Sequence, residues 1–304
     1  MTIDALRTPE ARFEGLPGFP FRPRYIDDLA GYRGLRVHYL DEGPPDALET
    51  FLCLHGEPTW CYLYRKMIPV FTAAAGRVVA PDLPGFGRSD KPVDDGVYGF
   101  HFHRDLLLAF IERLGLRRIT LVCQDWGGLL GLTLPVDMEE RFTRLIVMNT
   151  TIAVGTSPGP GFEAWKAYNA SRPDLDCAAL MRRAVDGISD AEAQAYAAPF
   201  PDARYKAGVR RFPELVMVTP AMAGVAESRK ALDFWQNRWR GQSFMAVGLK
   251  DPVLGAEPMH ALRRHIRGCP PPLELEDAGH FVPEHGERVA EAALAAFHAS
   301  GGRQ

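Results

Sequence analysis

Apolar residues run through this chain in short blocks separated by longer amphipathic ones. Leu35 to Leu40, Thr50 to Leu54, Arg77 to Ala80, Ile119 to Val122, Leu145 to Met148, Ser243 to Val247 and Leu273 to Leu275 are brief, β-branched or leucine-rich, and read as strands. Helical spacing fills several of the gaps. His103 to Leu114 sets Leu106, Leu107, Phe110 and Leu114 on one face and stops at Gly115, a common helix terminator. Arg288 to His298 is amphipathic in the same way. Strands alternating with helices predict an α/β fold with a mostly parallel central sheet, in which sites lie at the carboxyl ends of strands.

The alternation breaks between about 152 and 224. Gly155-Thr156-Ser157-Pro158-Gly159-Pro160-Gly161 opens this interval with a hinge-like composition. Only helical stretches follow: one from near Phe162, one over Leu175 to Val185, and one after Ser189, with Glu192 at the capping-box spacing. The pattern predicts a helical cap, 152–224, inserted between two parts of one core, 1–151 and 225–304. A cap over the strand ends would keep water from a nucleophile beneath it.

One junction carries most of the chemistry. The strand ending at Val122 runs into Cys123-Gln124-Asp125-Trp126-Gly127-Gly128, and a helix-compatible run begins at Leu129. Small residues two before and two after Asp125 suit a strained strand-to-helix turn that pushes its apex side chain into the open. A carboxylate there is ionised at neutral pH and attacks carbon without a base first removing its proton.

The ester so formed needs a base to activate water, and histidine titrates in the right range. His280, in the tight loop Asp277-Ala278-Gly279-His280-Phe281 after the strand 273–275, is the best placed of nine histidines. His101 and His103 begin a helix, while His260, His265, His285 and His298 lie in polar contexts. Asp251, ending the segment 243–250, completes the order nucleophile, acid, histidine and would orient the imidazole. The turn His55-Gly56-Glu57 places the backbone amides of Glu57 and Trp126 where they can stabilise an oxyanion. A Gly-x-Ser-x-Gly motif at 155–159 is rejected as a serine nucleophile, because Pro158 has no N–H to offer the oxyanion. Gly85-Phe86-Gly87 lacks the third glycine of a dinucleotide fingerprint, and metal-ligand spacings are absent, so neither a cofactor nor a metal is expected.

Composition narrows the partners. A net charge of −3 over 304 residues and a pI near 6.3, with both signs interspersed, give no footprint for nucleic acid or an anionic membrane. The five cysteines are odd in number and lack metal spacing, and Cys53 and Cys123 lie in apolar runs, which favours buried, reduced thiols. Met1 to Pro20 has no apolar stretch behind a basic start, and no apolar run reaches bilayer-spanning length; a soluble, cytoplasmic protein is the expectation. The sequence leaves the oligomeric state open, a monomer being compatible with it.

Four core segments resemble haloalkane dehalogenases of the α/β-hydrolase superfamily: 55–60 (HGEPTW), 82–90 (DLPGFGRSD), 124–128 (QDWGG) and 277–281 (DAGHF). Three cap segments do so more specifically: 162–166 (FEAWK), 196–202 (YAAPFPD) and 207–213 (AGVRRFP). One branch of that family has asparagine after the His-Gly pair and takes its acid from the strand that here ends at Met148-Asn149. This chain has Glu57 and Asn149 at those places. It is similar instead to the branch with two halide-binding tryptophans and the acid after the next core strand.

The resemblance implies Trp126 and Trp165 as halide donors and Asp251 as the acid; Phe162, Phe200 and Phe212 are candidates to line an apolar pocket, with packing inside the cap as the alternative for each. It further implies conversion of a short haloalkane and water to alcohol, halide and a proton, with no cofactor. An epoxide hydrolase is the nearest alternative; it would use the same Asp125 and His280 with tyrosine acids from among Tyr168, Tyr196 and Tyr205. A non-catalytic binding protein on this fold is a further alternative, set against by the presence of all three triad candidates.

Overall fold

Short β-branched runs pair into a ladder wherever neighbouring strands can bury both faces, and that is how the core assembles. The computed structural model describes residues 3–32 and 34–301. Among them, eight strands form one sheet: β2 (Arg24–Ile26), β3 (Val37–Glu42), β4 (Thr50–Leu54), β5 (Arg77–Pro81), β7 (Ile119–Gln124), β8 (Phe142–Met148), β9 (Gln242–Gly248) and β10 (Leu273–Leu275). Their order is β10-β9-β8-β7-β4-β5-β3-β2. Pairing is parallel from β10 through to β5; β3 runs antiparallel to β5, and β2 antiparallel to β3. Every residue of β4 and β7 is buried, as expected of central strands covered on both faces.

The strands read from the sequence are those of this sheet, shifted by at most a few residues at their ends. Two features escaped the pattern: β2, and a separate ladder of β1 (Ala5–Leu6) with β6 (Lys91–Pro92). Two or three residues are too few to display a period of two. Helices α1 (Ile68–Ala73), α2 (Phe100–Arg113), α3 (Trp126–Gly131), α8 (Val225–Asp233), α9 (Ala256–His265) and α10 (Gly286–Gly301) belong to the core layers. Helix α2 starts three residues before the position read from spacing and ends at Arg113, with Gly115 at φ +60° just beyond.

Between β8 and α8 the chain is helical. Here lie α4 (Pro160–Ala170), α5 (Cys177–Ala184), α6 (Asp190–Ala197) and α7 (Ala207–Leu215), with α4 packed on α7 and α5 on α6. Helix α6 carries the full capping box: Ser189 Oγ accepts the Glu192 N–H, and Glu192 Oε2 accepts the Ser189 N–H. A buried ionic clamp joins this helical layer to the core. The Arg65 guanidinium donates to both Glu284 oxygens at 2.6 and 2.8 Å and to Glu192 at 2.7 Å, while Tyr196 OH donates to the same Glu284 carboxylate. Glu284 sits in the short turn Val282–His285 that follows His280. All five cysteines are buried free thiols, and among the described residues no helix is long and apolar enough to cross a membrane.

Candidate active site

The turn from β7 into α3 is as sharp as its small residues imply. Asp125 adopts φ 51°, ψ −125°, a left-handed conformation that a non-glycine residue holds only when its surroundings impose it. They do so by hydrogen bonds on both sides: Asp125 N donates to Asn149 O at 3.0 Å, and Thr150 Oγ1 donates to Asp125 O at 2.7 Å. Gly127 is required by close approach, since a Cβ there would lie 1.9 Å from Leu54 O. Gly56 is required likewise, its Cβ falling 2.2 Å from Asp125 Oδ1.

The nucleophile candidate is thus pressed against the turn after β4. The Glu57 N–H donates to Asp125 Oδ1 at 2.8 Å, whereas the Trp126 amide makes no hydrogen bond to that carboxylate in this arrangement. Asp125 Oδ2 lies 3.5 Å from His280 Nε2. His280 Nδ1 is 2.7 Å from Asp251 Oδ2, so the three residues form one chain of contacts.

Asp251 is held hard. Its Oδ2 also accepts from Asn149 Nδ2 at 2.8 Å, and its Oδ1 from the Val253 N–H at 2.8 Å. Burial by itself would raise the Asp251 carboxyl, but the imidazole and these donors outweigh it and hold it at about 2. Burial disfavours charge on His280 too, yet the carboxylates of Asp251 and Asp125 win and raise it to about 10. The Asn149 amide also bridges β8 to β9 through Gly248, accepting its N–H at 2.9 Å and donating to its carbonyl at 3.2 Å.

A substitution follows from that clamp. Asn149→Asp would set two carboxylates against each other where one amide now donates, so one of them must hold a proton in the fold. Its folded pKa then lies above the unfolded value near 4, and stability falls as pH rises past that value. We expect a cost of about 1–3 kcal/mol at pH 7, read as a lowered Tm that recovers toward wild type near pH 4. An unchanged Tm at pH 7 would show that Asn149 does not brace Asp251.

Above the triad lies a cavity of about 620 Å³ reaching from Asp125 to the helical layer. Its walls include Trp126, Leu129, Phe162, Trp165, Leu180 and Val216, and its rim Arg183, Asp186 and Lys250. The tryptophans divide into two groups. Trp60 donates its indole N–H to Ala195 O at 3.1 Å, Trp235 to Leu132 O at 2.7 Å and Trp239 to Ser243 Oγ at 2.9 Å. Trp126 and Trp165 have no acceptor for theirs among the described residues, and both line the cavity. An indole N–H only donates, so an acceptor entering the cavity can satisfy both.

The three phenylalanines separate. Phe162 lines the cavity. Phe200 and Phe212 do not: Phe212 packs edge-on against Phe86 at 4.7 Å and under Trp126 at 4.7 Å, and Phe200 meets Phe86 at 6.4 Å. They are core between the two layers: α7 turns Phe212 toward Phe86 rather than toward Asp125, and Phe200, in the segment after α6, meets the same Phe86 ring. Of the tyrosines, Tyr168 lines the cavity, whereas Tyr196 is committed to the Glu284 clamp and Tyr205 lies outside the lining. Ser157 is half-buried and donates to Glu163 Oε1 at 2.5 Å.

Two side chains gained a place that sequence reading did not give them. Glu57, considered only for its amide, also brings a buried carboxyl to the cavity wall; burial and the neighbouring Asp125 charge push it far above the usual range, and its Oε1 has no partner among the described residues. The signal was present, since an acidic residue next to an apolar strand and a nucleophile cannot be solvated. The other is Gln124, whose contacts with His280 are described below.

His38, Cys61 and Asp82 also cluster, their ligand atoms within 4.8 Å of one another. Asp82 spends both oxygens on the local turn, however, accepting from the Cys61 N–H and the Arg88 N–H at 2.8 Å and meeting His38 Nδ1 at 2.7 Å. The set braces the loop after β5.

Comparison with known proteins agrees with this geometry. Residues 49–287 match the alpha/beta hydrolase fold family. The haloalkane dehalogenase of Psychrobacter cryohalolentis is 42% identical over 300 residues, covering 96% of this chain and 98% of its own. That of Mycolicibacterium paratuberculosis is 42% identical over 303 residues, again covering 96% and 98%. Among solved structures, the tetrameric haloalkane dehalogenase DpaA of Paraglaciecola agarilytica NO2 superposes with a TM-score of 0.96 at 55% identity, covering 97% of this chain and 99% of that one. The fold, the near-complete coverage and the identity all point one way: this chain belongs to the haloalkane dehalogenase family on the α/β-hydrolase fold.

Proposed function

We propose that this protein hydrolyses short haloalkanes to an alcohol, a halide ion and a proton through an ester on Asp125. The observation that carries the reading is the convergence, on one largely apolar cavity, of an Asp–His–Asp chain and two indole N–H groups without internal acceptors.

Each step uses a group already placed. Asp125 Oδ1 is held by the Glu57 amide, leaving Oδ2 to displace halogen from carbon in line. Trp126 and Trp165 donate to the departing halide as its charge develops, a stabilisation that strengthens in the transition state. His280, oriented by Asp251, then takes a proton from water, whose oxygen adds to the ester carbonyl carbon. The amides of Glu57 and Trp126 hold the resulting oxyanion. The Glu57 carboxyl, which burial and the Asp125 charge push well above the usual range, faces Asp125 and His280. A cavity of about 620 Å³ admits a short haloalkane together with that water.

Epoxide opening would require tyrosine acids over Asp125. Tyr168 alone of the three cap tyrosines lines the cavity, and it stacks beside Trp165. The test is halide and proton release from 1-chlorobutane, 1-bromobutane and 1,2-dibromoethane, with styrene oxide in parallel. Stoichiometric halide and acid are expected from the bromides. Diol from styrene oxide with no halide from any haloalkane would reverse the assignment.

A further inference from the structure

Gln124 is the last residue of β7, one position before the nucleophile, and is fully buried. Its carboxamide serves one neighbour twice: Nε2 lies 2.9 Å from His280 Nε2 and 3.1 Å from His280 O. Its Oε1 has no partner among the described residues. A backbone carbonyl only accepts, so the NH₂ must face His280. The imidazole Nε2 at hydrogen-bond distance from that NH₂ is then an acceptor, and the ring proton sits on Nδ1 beside Asp251.

The charges around the ring press the other way. Asp251 faces it from the loop after β9, Asp125 from the turn after β7, and the buried Glu57 carboxyl from the turn after β4. From the cap, Arg183 and Asp186 open onto the same cavity; on its own loop, His285 and Asp277 flank it. The two nearby carboxylates favour imidazolium, which cannot act as a base.

We propose that Gln124 is a positioning residue for the hydrolytic half of the reaction: its carboxamide, anchored on His280 O, donates to His280 Nε2 and holds the ring in the neutral tautomer that accepts the proton of water. While Asp125 is ionised, two carboxylates compete with that donor. Esterification removes one of them, and the Gln124 contact then tips the ring to its base form. Water displaces the Gln124 N–H from the Nε2 lone pair and gives its proton to Nε2 as its oxygen bonds to Asp125 Cγ. The bond from Cγ to the alkyl-bearing oxygen breaks, the alkoxide takes the proton from Nε2, and the regenerated carboxylic acid releases its own proton to solvent. Gln124 does not line the cavity that holds substrate and acts through His280 alone.

The inference rests on His280 as the base, and the experiment separates the two. A limiting pulse of 1-bromobutane is followed by quenching and mass spectrometry of the Asp125 peptide, from pH 5 to 10, in wild type, Gln124→Met and Gln124→Glu. Gln124→Met is expected to form the adduct within about threefold of the wild-type rate. Its adduct should decay about tenfold more slowly at pH 7, as loss of one hydrogen bond to the base implies. The midpoint of decay should move up by about one pH unit, so that decay recovers in alkali. Gln124→Glu matches glutamine in shape, carries the test should the methionine variant fail to fold, and is expected to move the midpoint further in the same direction. Normal adduct formation with an unmoved midpoint in either variant, whether decay is slowed evenly or not at all, overturns the role of Gln124 and leaves His280 as base. An adduct on a residue other than Asp125 in wild type overturns both.

Discussion

With His280 replaced by phenylalanine, exposure to 1-bromobutane is expected to release one bromide per protein molecule and then stop. The alkylation half needs only the Asp125 carboxylate, which is aimed by the turn and by the Glu57 amide rather than by His280. The hydrolytic half needs a base 3.5 Å from Asp125 Oδ2, and the substitution removes it. Loss of a positioned general base slows a step by about 10²–10⁴-fold, so the alkylated protein should accumulate. Mass spectrometry of the Asp125 peptide should show one butyl group. Steady bromide release, or an adduct on another peptide, would remove Asp125 and His280 from their assigned roles.

The second large effect concerns the halide. Replacing Trp126 or Trp165 by phenylalanine keeps the aromatic surface and deletes one N–H. Hydrogen bonds to charged groups contribute about 1.5–3 kcal/mol, so bromide affinity should fall by about 10–100-fold for each. Quenching of indole fluorescence by bromide reads this directly, with kcat/KM for 1-bromobutane falling in parallel. Trp60 supplies the control, because its N–H is already given to Ala195 O and the residue lies outside the cavity lining. Equal bromide affinity in Trp165→Phe and wild type would take the cap indole out of the site.

Much of this arrangement is written locally. The turn at Asp125 is legible because strain leaves a mark in composition: Cys123 and Gly127 are small where Leu54 O leaves no room for a Cβ at 127. The Ser189–Glu192 capping box is legible for the same reason, two side chains meeting across one helical turn. The convergence of Asp125, Asp251 and His280 was readable from chain order, since strand ends in a parallel sheet all open on one edge.

What lay beyond reading depends on rotation and distance. Phe162 and Phe212 are both aromatic residues on amphipathic cap helices, yet only one faces the cavity. Helical periodicity identifies an apolar face without saying which of two apolar neighbours it meets. Asn149 was set aside as an acid because it is an amide, but its hydrogen bond to Asp251 from the adjacent strand is a lateral contact with no sequence spacing. Gln124 was hidden for a related reason, being next to the nucleophile in sequence and next to the base only in space.

The clamp between Arg65 and Glu284 limits how the cavity can exchange its contents. Both side chains are only 2% exposed, and separating a buried ion pair so as to leave one partner unmatched costs about 3–5 kcal/mol. A helical layer swinging away as a rigid lid would leave Arg65 and Glu284 together in the core but strip Glu192 and Tyr196 from that buried pair. The rim pair of Lys250 and Asp186, 2.6 Å apart but 53% and 74% exposed, is screened by solvent and holds only weakly. Exchange of the cavity's contents is therefore expected at the rim, where the solvent-exposed Lys250–Asp186 pair can part without disturbing the buried clamp.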